Sequence, residues 1–306
     1  MHPFRRILIA LDGTEKDCIL INNMALMSRF MSIHKIYFIH ISMKQYIPAS
    51  IKEKFPEVQE LDIGDLKDSL NDQIIKYFPD INKYNHDLVL SEGDRTEVLI
   101  DFINRNEIDF LAMGRRPSPG IPYLARKIGH LSPCSLGFFP VITKEKFKRI
   151  VVPVDFTEAS IEGLNRAFFY HENDHDIEIL PVHFFTVPTG YYKTGKSFKE
   201  FQDIMRSNAD TNFKKIFEMP QFKNQKPAYD VIFDKEANPV PRIFNYVLSK
   251  EADLMIIGSR KRAHFASFML GTVAMKLIEL LYHIPILIEK DTECYTGFNE
   301  FLSSNI

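Results

Sequence analysis

Three short motifs in this sequence have residue types and spacings that could carry out chemistry. The first, GYYKTGKS at residues 190–197, matches the P-loop pattern G-x-x-x-x-G-K-[ST], whose backbone N–H groups and lysine hold phosphate. It follows a predicted strand, precedes a predicted helix, and has a candidate acidic partner strand in DVIFD at residues 230–234. However, residues 186–189 separate the strand from the first glycine, whereas in a P-loop the glycine turn follows the strand directly. We predict a surface connection here and keep a P-loop NTPase as an alternative.

The other two motifs indicate zinc and nucleic acid. HENDH at residues 171–175 matches the zinc-protease pattern H-E-x-x-H, which needs both histidines on one face of a continuous helix. Here a helix is predicted to end within the motif, and no third ligand is evident. The basic run SRKRAH at residues 259–264 could attract a polyanion, but the chain's net charge is −2. We therefore predict no metal site and no nucleic-acid partner.

These motifs lie in a chain that repeats itself. FRRILIALDGTE at residues 4–15 and FKRIVVPVDFTE at residues 147–158 are identical at six of twelve positions. Three further matches follow in the same order, and one of them aligns His40 with His183. IDFLAMGRR at 108–116 matches ADLMIIGSR at 252–260, and FFPVIT at 138–143 resembles HIPILI at 283–288. Repeats at one spacing indicate duplicated domains, so we predict domains at 1–145 and 146–291 and a tail at 292–306.

Each half alternates short apolar runs with segments of helical periodicity. The first helical segment covers residues 17–31, and a later one places Leu66, Leu70, Ile74 and Phe78 on one face. Continuous apolar strands that alternate with helices predict a parallel sheet covered on both faces. Each half is therefore predicted to be an open α/β sandwich with the order β-α-β-α-β-α-β-α-β.

Composition narrows the class of protein. Of 306 residues, 45% are hydrophobic and 25% charged, which is ordinary for a globular chain and too apolar for disorder. Three scattered cysteines do not make a disulfide framework and favour a reducing compartment. No stretch approaches the roughly 18 apolar residues of a membrane span, and the N-terminal apolar run is too short for a signal peptide. We expect a cytoplasmic protein with no membrane partner.

Taken together, the repeated halves resemble tandem domains of the universal stress protein family, over about residues 4–143 and 147–290. Three features carry the resemblance: an apolar strand that ends in Asp, a second strand that ends in His plus an apolar residue, and a fourth strand that runs into a glycine loop. The resemblance implies two Rossmann-like sandwiches of the adenine nucleotide alpha hydrolase type, each with five mainly parallel strands. It also implies that the halves pair through their last strands as an intramolecular pseudo-dimer. The sequence leaves homodimer formation and the identity of protein partners open.

In this family the glycine loop has the sequence pattern Gly, two residues, Gly, nine residues, then Gly-Ser or Gly-Thr. The second half keeps the spacing, with Gly258, Lys261 at the middle glycine position, Gly271 and Thr272. The resemblance implies that ATP or another adenine nucleotide binds there. The implied contacts are Asp155 to adenosine, Pro153 and Phe184 to adenine, Gly258, Gly271 and Thr272 to phosphate and ribose, and Lys261 to a phosphate charge. Each residue also has a structural explanation: Asp155 and Thr272 as helix caps, Gly258 as a turn.

The first half departs further from the pattern. Only Gly114 survives, because Pro117 and Lys127 align with the other two glycines. Proline removes a backbone donor and a lysine obstructs close approach to an anion. We therefore predict that the second half holds the nucleotide and that the first is structural. No catalytic residues are predicted, and a ligand-free interaction module remains the alternative to a nucleotide-binding protein.

Overall fold

In the computed structural model, the described residues are 3–42, 53–55, 63–115, 123–142, 145–225, 227–259 and 271–290. They form two compact units. The N-terminal unit takes its described residues from 3–115 and 123–142, and the C-terminal unit takes them from residue 145 onward. No helix in these ranges is both long and apolar enough to cross a membrane.

The N-terminal unit is a parallel sheet with helices between its strands. Its strands are β1 (Arg6–Leu11), β2 (Lys35–Ser42), β3 (Asn85–Glu92), β4 (Phe110–Arg115) and β5 (Ser135–Pro140). Its helices are α1 (Asp17–Ser28), α2 (Ile63–Tyr77), α3 (Arg95–Arg105) and α4 (Tyr123–Leu131). The strand order is β3-β2-β1-β4-β5 and every pairing is parallel.

The C-terminal unit repeats this topology. Its strands are β6 (Arg149–Pro153), β7 (Glu178–Phe185), β8 (Asp230–Phe233), β9 (Leu254–Ser259) and β10 (Ile286–Lys290). Its helices are α5 (Glu158–Asn173), α6 (Phe198–Phe217), α7 (Pro239–Ser249) and α8 (Thr272–Leu280). The order β8-β7-β6-β9-β10 is again fully parallel. The predicted α/β class, with five parallel strands in each half, is confirmed.

Local sequence explains where the elements begin and what they bury. Ser197 and Glu200 form a reciprocal capping box at the start of α6, which satisfies two backbone donors that have no partner in the helix. The apolar face predicted for α2 is real, because Leu70 and Ile74 are buried. The interiors of the central strands β1 and β6 are apolar, as expected when helices cover both faces of a sheet.

The last strand of the first unit differs from the sequence match. Aligning FFPVIT with HIPILI pairs Pro140 with Pro285. In the sheet, however, the equivalent glycines Gly114 and Gly258 lie beside Phe139 and Glu289, respectively. Phe139 is therefore equivalent to Glu289, which is not the residue that the sequence match pairs with it. Strand β5 therefore begins at Ser135, earlier than the match suggests. A glycine in this strand hides the strand pattern. The structure requires that glycine, because a Cβ on Gly137 would lie 2.4 Å from the Phe110 ring.

The connection after the fourth strand also differs between the units. It covers residues 116–122 in the N-terminal unit and 260–271 in the C-terminal unit, so the first connection is five residues shorter. Lys127 consequently lies inside α4 and does not occupy the position of Gly271 at the start of the equivalent helix. The expectation that Lys127 replaces that glycine is wrong, because a gap-free alignment cannot register a shortened loop.

Candidate functional site

The first feature of the site is a face shared by Pro153 and Phe184 at the carboxyl ends of β6 and β7. Pro153 is the register partner of Val182, and paired residues of parallel strands point to the same face. Phe184 is two residues further along β7 and so also lies on that face. Its ring contacts Tyr246 of α7 at a centroid distance of 6.1 Å, so this is the face that α7 covers. The two residues predicted to line the adenine slot are brought together on one side of the sheet.

Gly258, at the end of β9, lies on the opposite face, against α5. A Cβ built there would be 1.7 Å from the carbonyl oxygen of Ala159, and one built on Gly163 would be 3.2 Å from the Gly258 nitrogen. The two glycines thus allow α5 to pack directly on the backbone of β9. In the N-terminal unit Leu20 aligns with Gly163, and its Cδ2 lies 3.9 Å from a Cβ built on Gly114. Gly258 therefore has a packing role beyond the turn considered from sequence.

The side chain that follows Gly258 was not predicted as part of the site. Strand alternation turns Ser259 away from α5 and onto the face of Pro153 and Phe184. Ser259 is 6% exposed, and its Oγ has no hydrogen-bond partner among the residues that the structure describes. A buried hydroxyl without a partner is unfavourable, so this atom is a candidate ligand contact. Because side chains alternate between the two faces of a strand, the sequence alone could have placed Ser259 on the face opposite to that of Gly258.

Helix α8 begins on the same face. From β6 to β7 the chain moves towards one edge of the sheet, and from β9 to β10 it moves in the opposite direction. Crossovers between parallel strands are right-handed as a rule, which places α5 and α8 on opposite faces, and α8 packs against α7, the helix that covers Phe184. Gly271 is the N-cap of α8 and makes no side-chain cap hydrogen bond, and the first turn carries no acidic residue. Gly271 and Thr272 are exposed, so this helix start offers N–H groups and a positive dipole end to an anion.

Two residues expected as helix caps have other roles. Thr272 is the first residue of α8, not its cap. Asp155 is exposed and stands two residues before the α5 N-cap, which is Thr157. Its Oδ1 accepts hydrogen bonds from the Thr157 backbone N–H, at 3.1 Å, and from the Thr157 hydroxyl. The carboxylate orders the turn at the end of β6, so the capping expectation is wrong for both residues.

The corresponding aspartate of the first unit does not cap a helix either, since α1 has Lys16 as its N-cap. Instead, buried Asp17 accepts from the backbone N–H groups of Asp12, Gly13 and Thr14 at 2.8–3.1 Å. Burial nevertheless raises the pKa of Asp17, because desolvation outweighs these hydrogen bonds. The two units stabilise the same turn with carboxylates from different sequence positions.

The aligned histidines make the same contact in both units. His183 Nδ1 lies 2.7 Å from the Val154 carbonyl oxygen, and His40 Nδ1 lies 3.2 Å from the Leu11 carbonyl oxygen. Because a carbonyl only accepts, Nδ1 carries the proton in each ring. Burial lowers the pKa of His183, which favours its neutral form. Phe156 covers the His183 ring at 4.4 Å with φ at +63°, a conformation that costs a non-glycine residue about 1–2 kcal/mol.

The P-loop pattern does not form a phosphate cradle. Residues Tyr191–Thr194 make a single 3-10 turn, in which the Lys193 and Gly195 N–H groups donate to carbonyls of the same segment. The Ser197 hydroxyl and N–H donate to Glu200. The backbone N–H groups of Lys193, Gly195 and Ser197 are therefore already paired within the chain instead of being directed at a phosphate, and Lys196 is exposed.

The zinc-protease pattern fails for a different reason. Helix α5 ends at Asn173, between the two histidines. The His171 Nδ1 donates to the Ile177 carbonyl at 2.7 Å, and Glu172 accepts from Gln225. Across the described ranges, no group of three His, Cys, Asp or Glu side chains is placed to hold a metal ion. Lys261 and the rest of the basic run after Ser259 lie outside the described residues.

A cleft in the N-terminal unit lies between α1 and the ends of β4 and β5. Its enclosed volume is about 20 Å³, which is room for about one water molecule and far below the volume of a small-molecule pocket. Its walls carry the carboxylates of Asp12 and Asp17 and the cations of Lys16 and Arg115. Arg115, at the position equivalent to Ser259, is buried. The mixed charges do not identify an anionic or a cationic ligand.

Comparison with known proteins assigns the family. Residues 146–288 match the model of the Universal stress protein family. This match assigns the C-terminal unit to the universal stress protein family. A universal stress protein from Methanocaldococcus jannaschii is 23% identical over 145 residues, which cover 47% of this chain and 82% of the relative.

Solved structures extend the likeness in fold along the whole chain. A universal stress protein from Archaeoglobus fulgidus superposes with a TM-score of 0.63 and 15% identity, and the match covers 93% of this chain and 98% of that one. A functionally unknown protein from Pseudomonas aeruginosa gives the same TM-score with 11% identity and 98% coverage of both chains. At these identities the likeness concerns the fold alone.

Proposed function

We propose that this universal stress protein is a tandem form that binds ATP or another adenine nucleotide in its C-terminal unit and acts by regulated binding. The domains would be 1–145 and 146–291, followed by the tail 292–306, with the two domains paired as a pseudo-dimer. One observation carries the proposal: Pro153, Phe184, the unpartnered Ser259 hydroxyl and the uncapped start of α8 share one face. They lie where the strand order reverses between β6 and β9, which is where open α/β sheets bind ligands.

Each residue then has a role that fits its position. Pro153 and Phe184 contact the adenine base with apolar surface, and Asp155, exposed at the end of β6, accepts a hydrogen bond from the adenosine part. Gly271 and Thr272 hold phosphate and ribose with the N–H groups of the first turn of α8. Gly258 sets the depth of the site by letting α5 pack on β9, and Lys261 supplies charge to a phosphate.

The asymmetry of the two units supports a division of roles. The connection that would wrap the phosphates is five residues shorter in the N-terminal unit, and Arg115 is buried where the second unit has Ser259. A shorter loop supplies fewer backbone donors to an anion. We therefore assign the N-terminal unit a structural or interaction role.

A thermal-shift titration of the full chain with ATP tests the proposal. Ligand at 100 times its dissociation constant adds about 2.7 kcal/mol to the free energy of unfolding. Asp155→Ala and Gly271→Lys should weaken the shift, whereas Lys196→Ala, in the P-loop pattern, should leave it unchanged. An absent shift with ATP, ADP and AMP would leave the ligand-free interaction module as the function. A shift removed by Lys196→Ala alone would establish the P-loop instead.

A further inference from the structure

The residue that follows Asp155 adopts a backbone conformation that suits glycine. Phe156 has φ at +63°, in the left-handed region that is unfavourable for a residue with a Cβ. The aligned residue of the first unit is Gly13, with φ at +75°. Both units therefore build this turn in the left-handed form, but only the second does so with a side chain. The contacts of the Phe156 ring must offset that strain.

The Phe156 ring packs on the side of the sheet opposite the proposed ligand site. Its centroid lies 4.4 Å from that of His183 and 5.1 Å from that of Phe213 in α6. His183 directly precedes Phe184 in β7, so the side chains of these two residues point to opposite faces. The Phe156 ring is therefore not placed to contact a ligand on the face of Phe184, and any effect on binding passes through its neighbours.

His183 supports the chain on both sides of Asp155. Its Nδ1 donates at 2.7 Å to the carbonyl of Val154, the residue before Asp155, and its ring contacts Phe156, the residue after. The Thr157 backbone N–H then donates to Asp155 Oδ1 at 3.1 Å. The histidine thus holds the backbone on either side of the aspartate, and the turn through Phe156 holds its carboxylate.

We propose that Phe156 is a positioning residue for nucleotide binding: its ring, packed on His183, keeps the Asp155 carboxylate in the orientation that meets the adenosine part. This inference rests on the proposed function, in which Asp155 contacts the ligand. A side chain that is already ordered loses less entropy on binding, so the ligand binds more tightly. In the first unit Gly13 brings no ring, and the carboxylate of Asp17 holds the turn instead, which agrees with the structural role proposed for that unit.

Isothermal titration calorimetry of the full chain with ATP tests this role in a double-mutant cycle. Phe156→Gly removes the ring and still allows the left-handed turn, so the Asp155 carboxylate must be ordered on binding, and ATP binding should weaken by about two- to tenfold. In the Asp155→Ala background the same change should cause no further loss, because the group that it positions is gone. Phe156→Tyr keeps the ring and should bind ATP as the wild type does. Phe201→Ala is the matched control, since Phe201 is a half-buried phenylalanine of α6 whose ring contacts Tyr191.

A measurement without ligand separates this role from the proposed function. Hydrogen exchange of the Thr157 backbone N–H reports on the turn directly, and it should be faster in Phe156→Gly than in the wild type and in Phe201→Ala. Wild-type ATP affinity in Phe156→Gly, or equal losses with and without the Asp155 carboxylate, would overturn the positioning role while nucleotide binding stands. If the wild type binds no ATP, the proposed function fails and exchange decides. Faster Thr157 exchange in Phe156→Gly then supports the role of the ring in the turn, and unchanged exchange refutes it in either case.

Discussion

The packing of α5 on β9 makes Gly258 a position where one methyl group should have a large effect. In Gly258→Ala the new Cβ would lie 1.7 Å from the Ala159 carbonyl oxygen and 2.8 Å from the Ser160 nitrogen. Both are backbone atoms of a helix, so no side-chain rotation relieves the clash and α5 must move away from the sheet. Overpacking typically costs about 1–3 kcal/mol, and we expect at least the upper end of that range. For a unit of this size, 3 kcal/mol corresponds to a fall in melting temperature of roughly 6–12 °C.

The first unit supplies the matched control. Gly114→Ala occupies the aligned position, but its Cβ would meet only Leu20 Cδ2, at 3.9 Å, an ordinary contact. Because glycine inside a strand is less favourable than alanine by roughly 0.5–1 kcal/mol, this variant should be neutral or slightly stabilising. Urea denaturation followed by circular dichroism, with hydrogen exchange to localise the loss, measures both variants. Equal stability of Gly258→Ala and wild type, or equal losses in the two variants, would refute the packing argument.

Two further predictions concern buried ionisable groups in the C-terminal unit. Arg166→Met leaves Glu289 as an uncompensated buried charge and should lower the free energy of unfolding, measured by urea denaturation, by about 3–5 kcal/mol. The double variant Arg166→Met with Glu289→Leu should recover most of that loss. A free energy of unfolding for Arg166→Met within about 1 kcal/mol of the wild type would contradict this prediction. Because burial lowers the pKa of His183, the unfolded chain binds a proton at a higher pH than the folded chain. The free energy of unfolding should therefore fall as the pH drops below about 6.5. His183→Asn keeps a hydrogen-bond donor for the Val154 carbonyl and should reduce this pH dependence. The dependence is measured as the change in urea midpoint between about pH 7.5 and about pH 5.5. The same change in the variant and the wild type would refute the role of His183.

The sequence by itself determined the architecture. Apolar runs alternating with helical periodicity specify a parallel α/β sheet because both faces of each strand must be buried. The match between IDFLAMGRR and ADLMIIGSR aligned β4 with β9, and the two strands pair with β1 and β6 in the same register. The interpretation of the P-loop and zinc patterns rested on strand ends and helix ends, which are local signals, and α5 does end within the zinc pattern, at Asn173.

Only the tertiary structure decided what surrounds the site. A gap-free alignment placed Lys127 at a glycine position and misplaced the last strand of the first unit, since it could not register a connection five residues shorter. The role of Gly258 depends on Ala159, about a hundred residues earlier in the chain. Strand alternation places Ser259 on its face of the sheet, but only the packing around β9 decides that its hydroxyl is buried without a partner among the described residues. Spacing along a chain describes local structure, whereas burial and close approach arise between segments that only folding brings together.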